Sequence, residues 1–307
     1  MTFSVDGLIL IDKPSGPTSF DVVARVRRTL GVKRVGHTGT LDPLASGLMG
    51  ILVGRATRLS PYLTAADKSY EATIKLGQTS NTYDSQGEIT NVADEALCAG
   101  INLSMIRGVL PDFRGEIEQV PPMFSAIKIK GERAYAKARR GEIVEMPART
   151  VRVDSLECLR FDEGQLTVSV SCSKGTYIRS LAHDLGQRLG VGGVMTALRR
   201  TRVGQWSIAD ATALADFCQL DHGLHNAKLV SMWDVLSDLP VLELTALETG
   251  KIQNGVRFSL SQTASPGRYR VADQDGHLLA IVAVDETGTV KVERGVPSNE
   301  SLSGARL

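Results

Sequence analysis

Cysteine is scarce in this chain: 307 residues hold four, Cys98, Cys158, Cys172 and Cys218. They lie far apart with no C-x-x-C pair, which supports neither a zinc site nor a disulfide framework and leads us to expect a reducing compartment. No uninterrupted apolar stretch reaches the roughly 18 residues that a membrane helix needs. The opening MTFSVDGLILIDKP has no basic n-region and only a short apolar run, so a secretory signal is not expected and a cytoplasmic protein is. Aromatic residues make up only 5% of the chain, and no repeat or low-complexity tract is present. His37 lacks a second histidine or carboxylate at ligand spacing, so no metal is expected there.

The formal charge of +1 conceals an uneven distribution. Residues 1–60 carry eight Lys or Arg against four Asp or Glu, and residues 124–152 carry eight against three. Two basic segments favour a phosphate-rich partner, although a solvated helix face would read the same way. The length suits two domains, or one large domain with a small appendage.

Apolar patterning divides the chain into strands and helices in irregular order, which predicts an α+β fold. Gly7 to Asp12 reads as a buried strand ending in the Pro14–Pro17 turn. A helix then starts at Thr18 or Ser19, carries Phe20, Val23, Val26 and Leu30 at helical spacing, and stops at Gly31. Leu48 to Val53 is strand-like, and Arg55 to Leu63 reads as a short helical segment. Ser69 to Leu76 alternates with Tyr70, Ala72, Ile74 and Leu76 on one face, and Leu166 to Cys172 alternates likewise. Ile178, Leu181, Leu185 and Leu189 form the stripe of a helix with Arg179 in its first turn. Between these, Val120 to Arg152 looks like an exposed basic excursion with a Lys130-Gly131 turn, ending in Arg139 to Gly141. Asp210 to Leu236 is helical in composition. A break at Asp238-Leu239-Pro240 predicts a boundary, giving domains 1–237 and 238–307, the second a small β-rich module.

One segment differs in kind. Gly36 to Gly47, GHTGTLDPLASG, packs one histidine, one carboxylate, three glycines and a proline into twelve residues, which suits a loop built to hold Asp42. Pro43 restricts Asp42 to extended backbone. Such a carboxylate is a candidate nucleophile or acid-base group, and a turn-forming aspartate is the bland alternative. His37 could be a base or a stacking platform. Tyr70 on an apolar face could be a core aromatic or a pocket wall. An unpaired guanidinium is costly on the helix of Arg179, so a carboxylate partner is expected; Asp42 could be it, and surface exposure would equally explain it. Asp84, in the polar turn AsnThrTyrAspSerGlnGly, reads as a turn residue.

At these residues the chain resembles the bacterial TruB-type tRNA pseudouridine-55 synthases. Six blocks in order carry the resemblance: DKPSGPTSFDVV from Asp12, GHTGTLDPLASG around Asp42, KSYEATIKLGQTSNTYDSQGE from Lys68, PPMFSAIKIKGERAYAKARRGE from Pro121, CSKGTYIRSLAHDLG from Cys172 and LRRTRVG from Leu198. The resemblance implies a pseudouridine-synthase fold: a central mixed, largely antiparallel sheet flanked by helices and loops, plus a C-terminal PUA-like RNA-binding domain. It implies isomerisation of the uridine at position 55 in the T-loop of tRNA, by an aspartate nucleophile and base flipping, without cofactor or metal. Asp42 corresponds to the nucleophile, Arg179 to the ion-pair partner that would hold it ionised in a dry pocket, and Tyr70 to the tyrosine against the uracil. His37, Tyr177 and Leu198 match positions that shape the pocket or hold the substrate loop, and Lys13 a supporting lysine. The basic segment at 124–152 matches a thumb-like insertion over the RNA. Residues 238–307 depart from expectation, with seven Lys or Arg against nine Asp or Glu.

The implied partner is tRNA, through its T-loop and T-arm, bound by a stand-alone monomer with no guide RNA and no membrane. The alternative is a tRNA-binding or folding chaperone acting without turnover, against which the set Asp42, Tyr70 and Arg179 argues. A guide-dependent synthase is disfavoured by the compact N-terminus and the lack of basic tails, and an Asp42/His37 hydrolase stands only if the resemblance misleads.

Overall fold

The computed structural model describes residues 6–296, apart from 126, 130, 141, 143 and 144. Lys130 and Gly141, which mark the expected turn and the end of the basic stretch, lie outside the described residues, as does the end of the 238–307 segment.

The first apolar run is the strand Gly7–Lys13. Its side chains alternate between two hydrophobic clusters: Leu8 and Leu10 pack with Leu48 and Leu52, while Ile9 and Ile11 pack with Val22, Val26 and Phe217. Burial on both faces explains why the run has no polar side. The helix Ser19–Leu30 begins at Thr18, whose hydroxyl accepts from the Asp21 N–H while the Asp21 carboxylate accepts from the Thr18 N–H, a reciprocal cap. Gly31 ends it at φ +64°. Of the predicted stripe, Val26 is fully buried and Val23 and Leu30 pack partly buried against the same cluster, but Phe20 is 69% exposed and Val22 is buried in its stead. Ser19 takes the inward position because its hydroxyl bonds the Leu41 backbone in both directions.

The large sheet is mixed and largely antiparallel. Its main path runs Thr212–Ala213, Gly7–Lys13, Ser46–Val53, Gly193–Val203, Lys68–Leu76, Gln165–Cys172, Arg149–Asp162, Gly115–Gln119. Along this path only Thr212–Ala213 with Gly7–Lys13, and Gly193–Val203 with Ser46–Val53, pair in parallel. The second of these pairings is close, since a Cβ on Gly47 (φ +102°) would lie 2.3 Å from the Arg200 carbonyl oxygen. A side chain there would push the two central strands apart. The helix Ile178–Arg188 packs Ile178, Leu181 and Leu185 into the cluster that holds Tyr70, Val168 and Leu198.

Two expectations need correction. Asp210 to Leu236 is not continuously helical: helices Leu214–Gln219 and His222–Ala227 alternate with strands Thr212–Ala213 and Leu229–Val230, both of which pair with Gly7–Lys13. That strand's free backbone groups need partners, and pairing outweighs helical composition. The excursion after Val120 contains a hairpin, Lys128–Ile129 with Glu132–Arg133, and the helix Ala134–Arg139, but is not wholly exposed. Ser125 and Ala134 are buried, and Arg140 is paired with Glu132 at 2.6 Å and Glu142 at 2.8 Å, which cancels part of the segment's charge.

Beyond Pro240 come the helix Ala246–Gln253 and a second, four-stranded antiparallel sheet, ordered Phe258–Ser259, Thr289–Gly295, Leu278–Val284, Gly267–Ala272. It has its own core around Leu242, Ile252, Phe258 and Val282. Leu278, Ile281 and Val296 instead pack with Leu8, Leu48 and Leu236, so apolar burial ties this sheet to the larger one.

Candidate active site

A loop without regular secondary structure must satisfy its backbone groups elsewhere. Between Gly39 and Ala45 every carbonyl has a partner. Arg200 Nη2 and Nη1 donate to Gly39 and Thr40, at 3.2 and 3.3 Å. Ser19 Oγ donates to Leu41, the Ala45 N–H to Asp42, and the Gly16 N–H to Pro43. Ser15 Oγ donates to Leu44, and Lys13 Nζ donates to Ala45 at 2.6 Å with longer bonds to Pro14 and Pro43. Lys13 and Arg200 are almost completely buried, at 0% and 1% exposure. The Asp42 backbone is thus fixed from both sides.

The Asp42 carboxylate emerges from this frame toward the first turn of the helix Ile178–Arg188. Arg179 Nε lies 3.0 Å from Asp42 Oδ2, an ion pair by distance whose N–H does not point along the contact. Arg179 Nη1 and Nη2 donate to the carbonyls of Thr82 and Phe124, at 3.1 and 3.0 Å. The guanidinium is therefore positioned from three segments, including the basic excursion. Asp42 is not dry: its side chain is 36% exposed, against 6% for Arg179. The exposed part faces solvent, where a substrate can reach it.

Asp84, read from sequence as a turn residue, is one, but it is also 4% exposed and sits 3.5 Å from Arg179 Nη1. Its other oxygen accepts from Thr82 Oγ1 and the Gln86 N–H. Two carboxylates thus flank one guanidinium. The turn is held inward by bonds between Tyr83 and Met195 and between Ser85 and Met195, a tie with no local sequence signal.

Tyr70 and Leu198 lie in the core cluster with Leu41 and Ala45, next to the loop. Burial raises the Tyr70 hydroxyl pKa; the Arg200 guanidinium pulls the other way, and Asp42 adds to the rise. Tyr177 is clamped by buried Gln119, whose amide accepts from its N–H at 2.7 Å and donates to its carbonyl at 3.0 Å, while Arg149 stacks over its ring. His37 ends the short strand Val35–His37, with its ring edge-on to exposed Phe20 at 6.1 Å. Its Nδ1 accepts the Gly39 N–H, which assigns the neutral proton to Nε2. Burial, then Arg200, lowers the His37 pKa, so the ring is neutral at pH 7.

Sequence reasoning missed Arg200, Ser19, Gln119 and Asp84. Arg200 stands in the quoted LRRTRVG block, but nothing local marks it as the arginine that turns inward. Among the described residues, only Asp273, Asp275 and His277 are grouped closely enough to hold a cation, and they lie in a turn of the second sheet. The site itself can present a fixed carboxylate to an electrophile, with a guanidinium and a protonated phenol beside it.

This fold is shared with solved structures of other chains. A chain of a Cbf5-Nop10-Gar1 complex superposes with TM-score 0.73 and 26% identity, over 96% of this chain and 86% of that one. A chain of an H/ACA RNP bound to a substrate RNA containing 2'-deoxyuridine gives TM-score 0.72 and 25% identity, over 96% and 86%. The family model described as "TruB family pseudouridylate synthase (N terminal domain)" matches residues 27–178, and "tRNA pseudouridylate synthase B C-terminal domain" matches 179–234. The fold is that of a pseudouridine synthase.

Similar proteins include the tRNA pseudouridine synthase B of Mycobacterium sp. (strain KMS), 45% identical over 90% of this chain and 91% of that protein. That of Mycobacterium tuberculosis (strain ATCC 25618 / H37Rv) is 42% identical over 95% and 96%. The chain belongs to the TruB family of pseudouridylate synthases.

Proposed function

We propose that this protein converts the uridine at position 55 in the T-loop of tRNA to pseudouridine, with Asp42 as nucleophile. The bond between uracil N1 and the ribose breaks, and the same uracil is rejoined to that carbon through C5. The C5 proton is lost and N1 gains one, so the change is an isomerisation with no other reactant. Asp42 attacks, Arg179 orients its carboxylate, and Tyr70 forms the wall against which the uracil lies. The base must leave its stack to reach Asp42, and His37, neutral beside Phe20, fills part of the gap. Tyr177 and Leu198 shape the pocket, and Lys13 fixes the loop beneath it. The basic segment at 124–152 closes over the RNA, and residues 238–307 form an RNA-binding module. The enzyme acts as a cytoplasmic monomer without a guide RNA.

One observation carries this reading: the carboxylate is set 3.0 Å from a buried guanidinium on a loop whose seven consecutive carbonyls, 39–45, are all bonded. A protein that only bound RNA would not need it. The test follows tritium release from C5 of uracil in an unmodified tRNA transcript. Wild type should release it from one T-loop site, and Asp42→Asn should lower kcat by at least about 1,000-fold while still binding. Full release by Asp42→Asn removes the nucleophile assignment. Release from a transcript whose target uridine is moved outside the T-loop removes the site assignment.

A further inference from the structure

A cleft of about 480 Å³ lies where the two sheets meet, lined by residues of both. Three segments line it. The consecutive short helices Gly54–Leu59 and Ser60–Thr64 supply Thr57, Arg58, Ser60 and Thr64, the turn before Tyr177 supplies Lys174, and the last strand of the second sheet supplies Arg294. No carboxylate is among the lining residues.

Local geometry keeps this charge unneutralised. Arg58, Lys174 and Arg294 make no ion pair among the described residues. Glu293 adjoins Arg294, but alternation along the strand turns it away, to Arg268 at 2.8 Å. Asp67, close in sequence, is taken by Arg152 at 2.9 Å. Arg58 Nη1 donates to the Gly295 carbonyl, which brings the first segment against the third. Lys68 Nζ, bonded to the carbonyls of Thr64 and Ala66, adds a further amine near the cleft wall, its pKa lowered to about 8 chiefly by burial and then by Arg200. Like charges gathered without counter-charges favour an anion.

We propose that this cleft binds the phosphate backbone of the RNA whose uridine enters the Asp42 site, and that it joins the catalytic sheet to the C-terminal sheet along one strand of that RNA. The inference rests on the tRNA reading above. Cations spread over three segments of an open cleft suit successive phosphates on a chain, and hydroxyls from Thr57, Ser60 and Thr64 can donate to their oxygens. The cleft touches the site at both ends: Ser60 Oγ donates to the His37 carbonyl at 3.5 Å, and Lys174 stands in the turn that leads to Tyr177 and Arg179. It also gives the C-terminal module a positive contact despite its acidic total, because Arg294 lines the cleft while its neighbour Glu293 turns to Arg268.

The test uses the full chain, an unmodified tRNA transcript, and the double variant Lys174→Gln/Arg294→Gln, neither of whose side chains bonds within the described protein. Binding is measured from 50 to 400 mM salt, on an Asp42→Asn background so that turnover does not intrude. The slope of log Kd against log salt should fall by about 1.5, at roughly 0.7–0.9 for each phosphate no longer neutralised, and KM should rise about 10-fold or more while kcat changes less than twofold. Adding Arg58→Gln should lower the slope by nearly one more, with the melting temperature as the control for its bond to Gly295. An unchanged slope and KM in an active enzyme overturns the cleft assignment alone. A wild type that binds tRNA with the expected slope but releases no tritium overturns the catalytic reading and leaves the cleft standing. A slope reduced equally for duplex DNA of the same length shows a non-specific anion surface and also overturns the assignment.

Discussion

The loop 39–45 and the turn at 273–277 each place aspartates in irregular backbone, yet they are held in opposite ways. In the turn, Asp273 accepts the N–H groups of Asp275 and His277 with its own carboxylate, and its partners lie within four residues. In the loop, the bonds to Gly39, Thr40, Leu41, Pro43, Leu44 and Ala45 come from residues as far away as Arg200. A turn that bonds itself survives anywhere in a sheet. A loop bonded from outside is rigid only when the whole fold is assembled, and it keeps the Asp42 carboxylate out of the loop's own bonding, beside Arg179 and open to solvent.

The difference can be tested by removing one latch at a time. Arg200→Met deletes three donors to Leu48, Thr40 and Gly39 from a nearly dry site, and should cost about 3–5 kcal/mol of stability and at least about 100-fold in kcat. Denaturant midpoints and tritium release measure the two. Lys13→Met strands the Ala45 carbonyl and its neighbours, for about 2–3 kcal/mol; a variant with full stability and full turnover would show that the loop does not need its cationic latches.

Lys68 tests what such latches cost. Its pKa is about 8 in the folded chain against an ordinary 10.5, so the unfolded chain binds more protons between those values and the lysine's contribution to stability rises with pH across that window. Wild type should therefore gain about 2 kcal/mol relative to Lys68→Met between pH 8 and 10.5 in chemical denaturation; equal slopes would mean the amine is not desolvated. Ser19→Ala removes both bonds to Leu41 and should cost about 1–2 kcal/mol, with a several-fold loss in kcat. Asp273→Ala should cost under about 1 kcal/mol and leave turnover unchanged. If it lowers kcat as much as Ser19→Ala does, the two segments are not held differently after all.

Much of the fold was legible from periodicity. Alternation in Ser69 to Leu76 and Leu166 to Cys172 located two central strands and sent Tyr70 inward, because a strand's two faces follow a period of two wherever one is buried. Thr18 or Ser19 at the start and Gly31 at the end delimited a helix because caps act within four residues. Phe20 was misread for a related reason: spacing defines a stripe but not its exact rotation, and Ser19 was drawn inward by a carbonyl on another segment. Asp84 looked like any polar turn until Met195 held that turn against Arg179.

By itself, the sequence determined the inventory: a constrained carboxylate before Pro43, an arginine opening a helix, a tyrosine on a buried strand face, and basic charge gathered in two segments. Tertiary structure alone decided which of these meet. Arg179 reaches Asp42, Arg200 and Lys13 grip the loop, and Arg294 joins Arg58 and Lys174 across two sheets. The physical reason is range. Caps, turns and alternation are set by neighbours within a few residues, whereas a buried carbonyl or an unneutralised cation depends on whichever distant segment the packed core brings beside it.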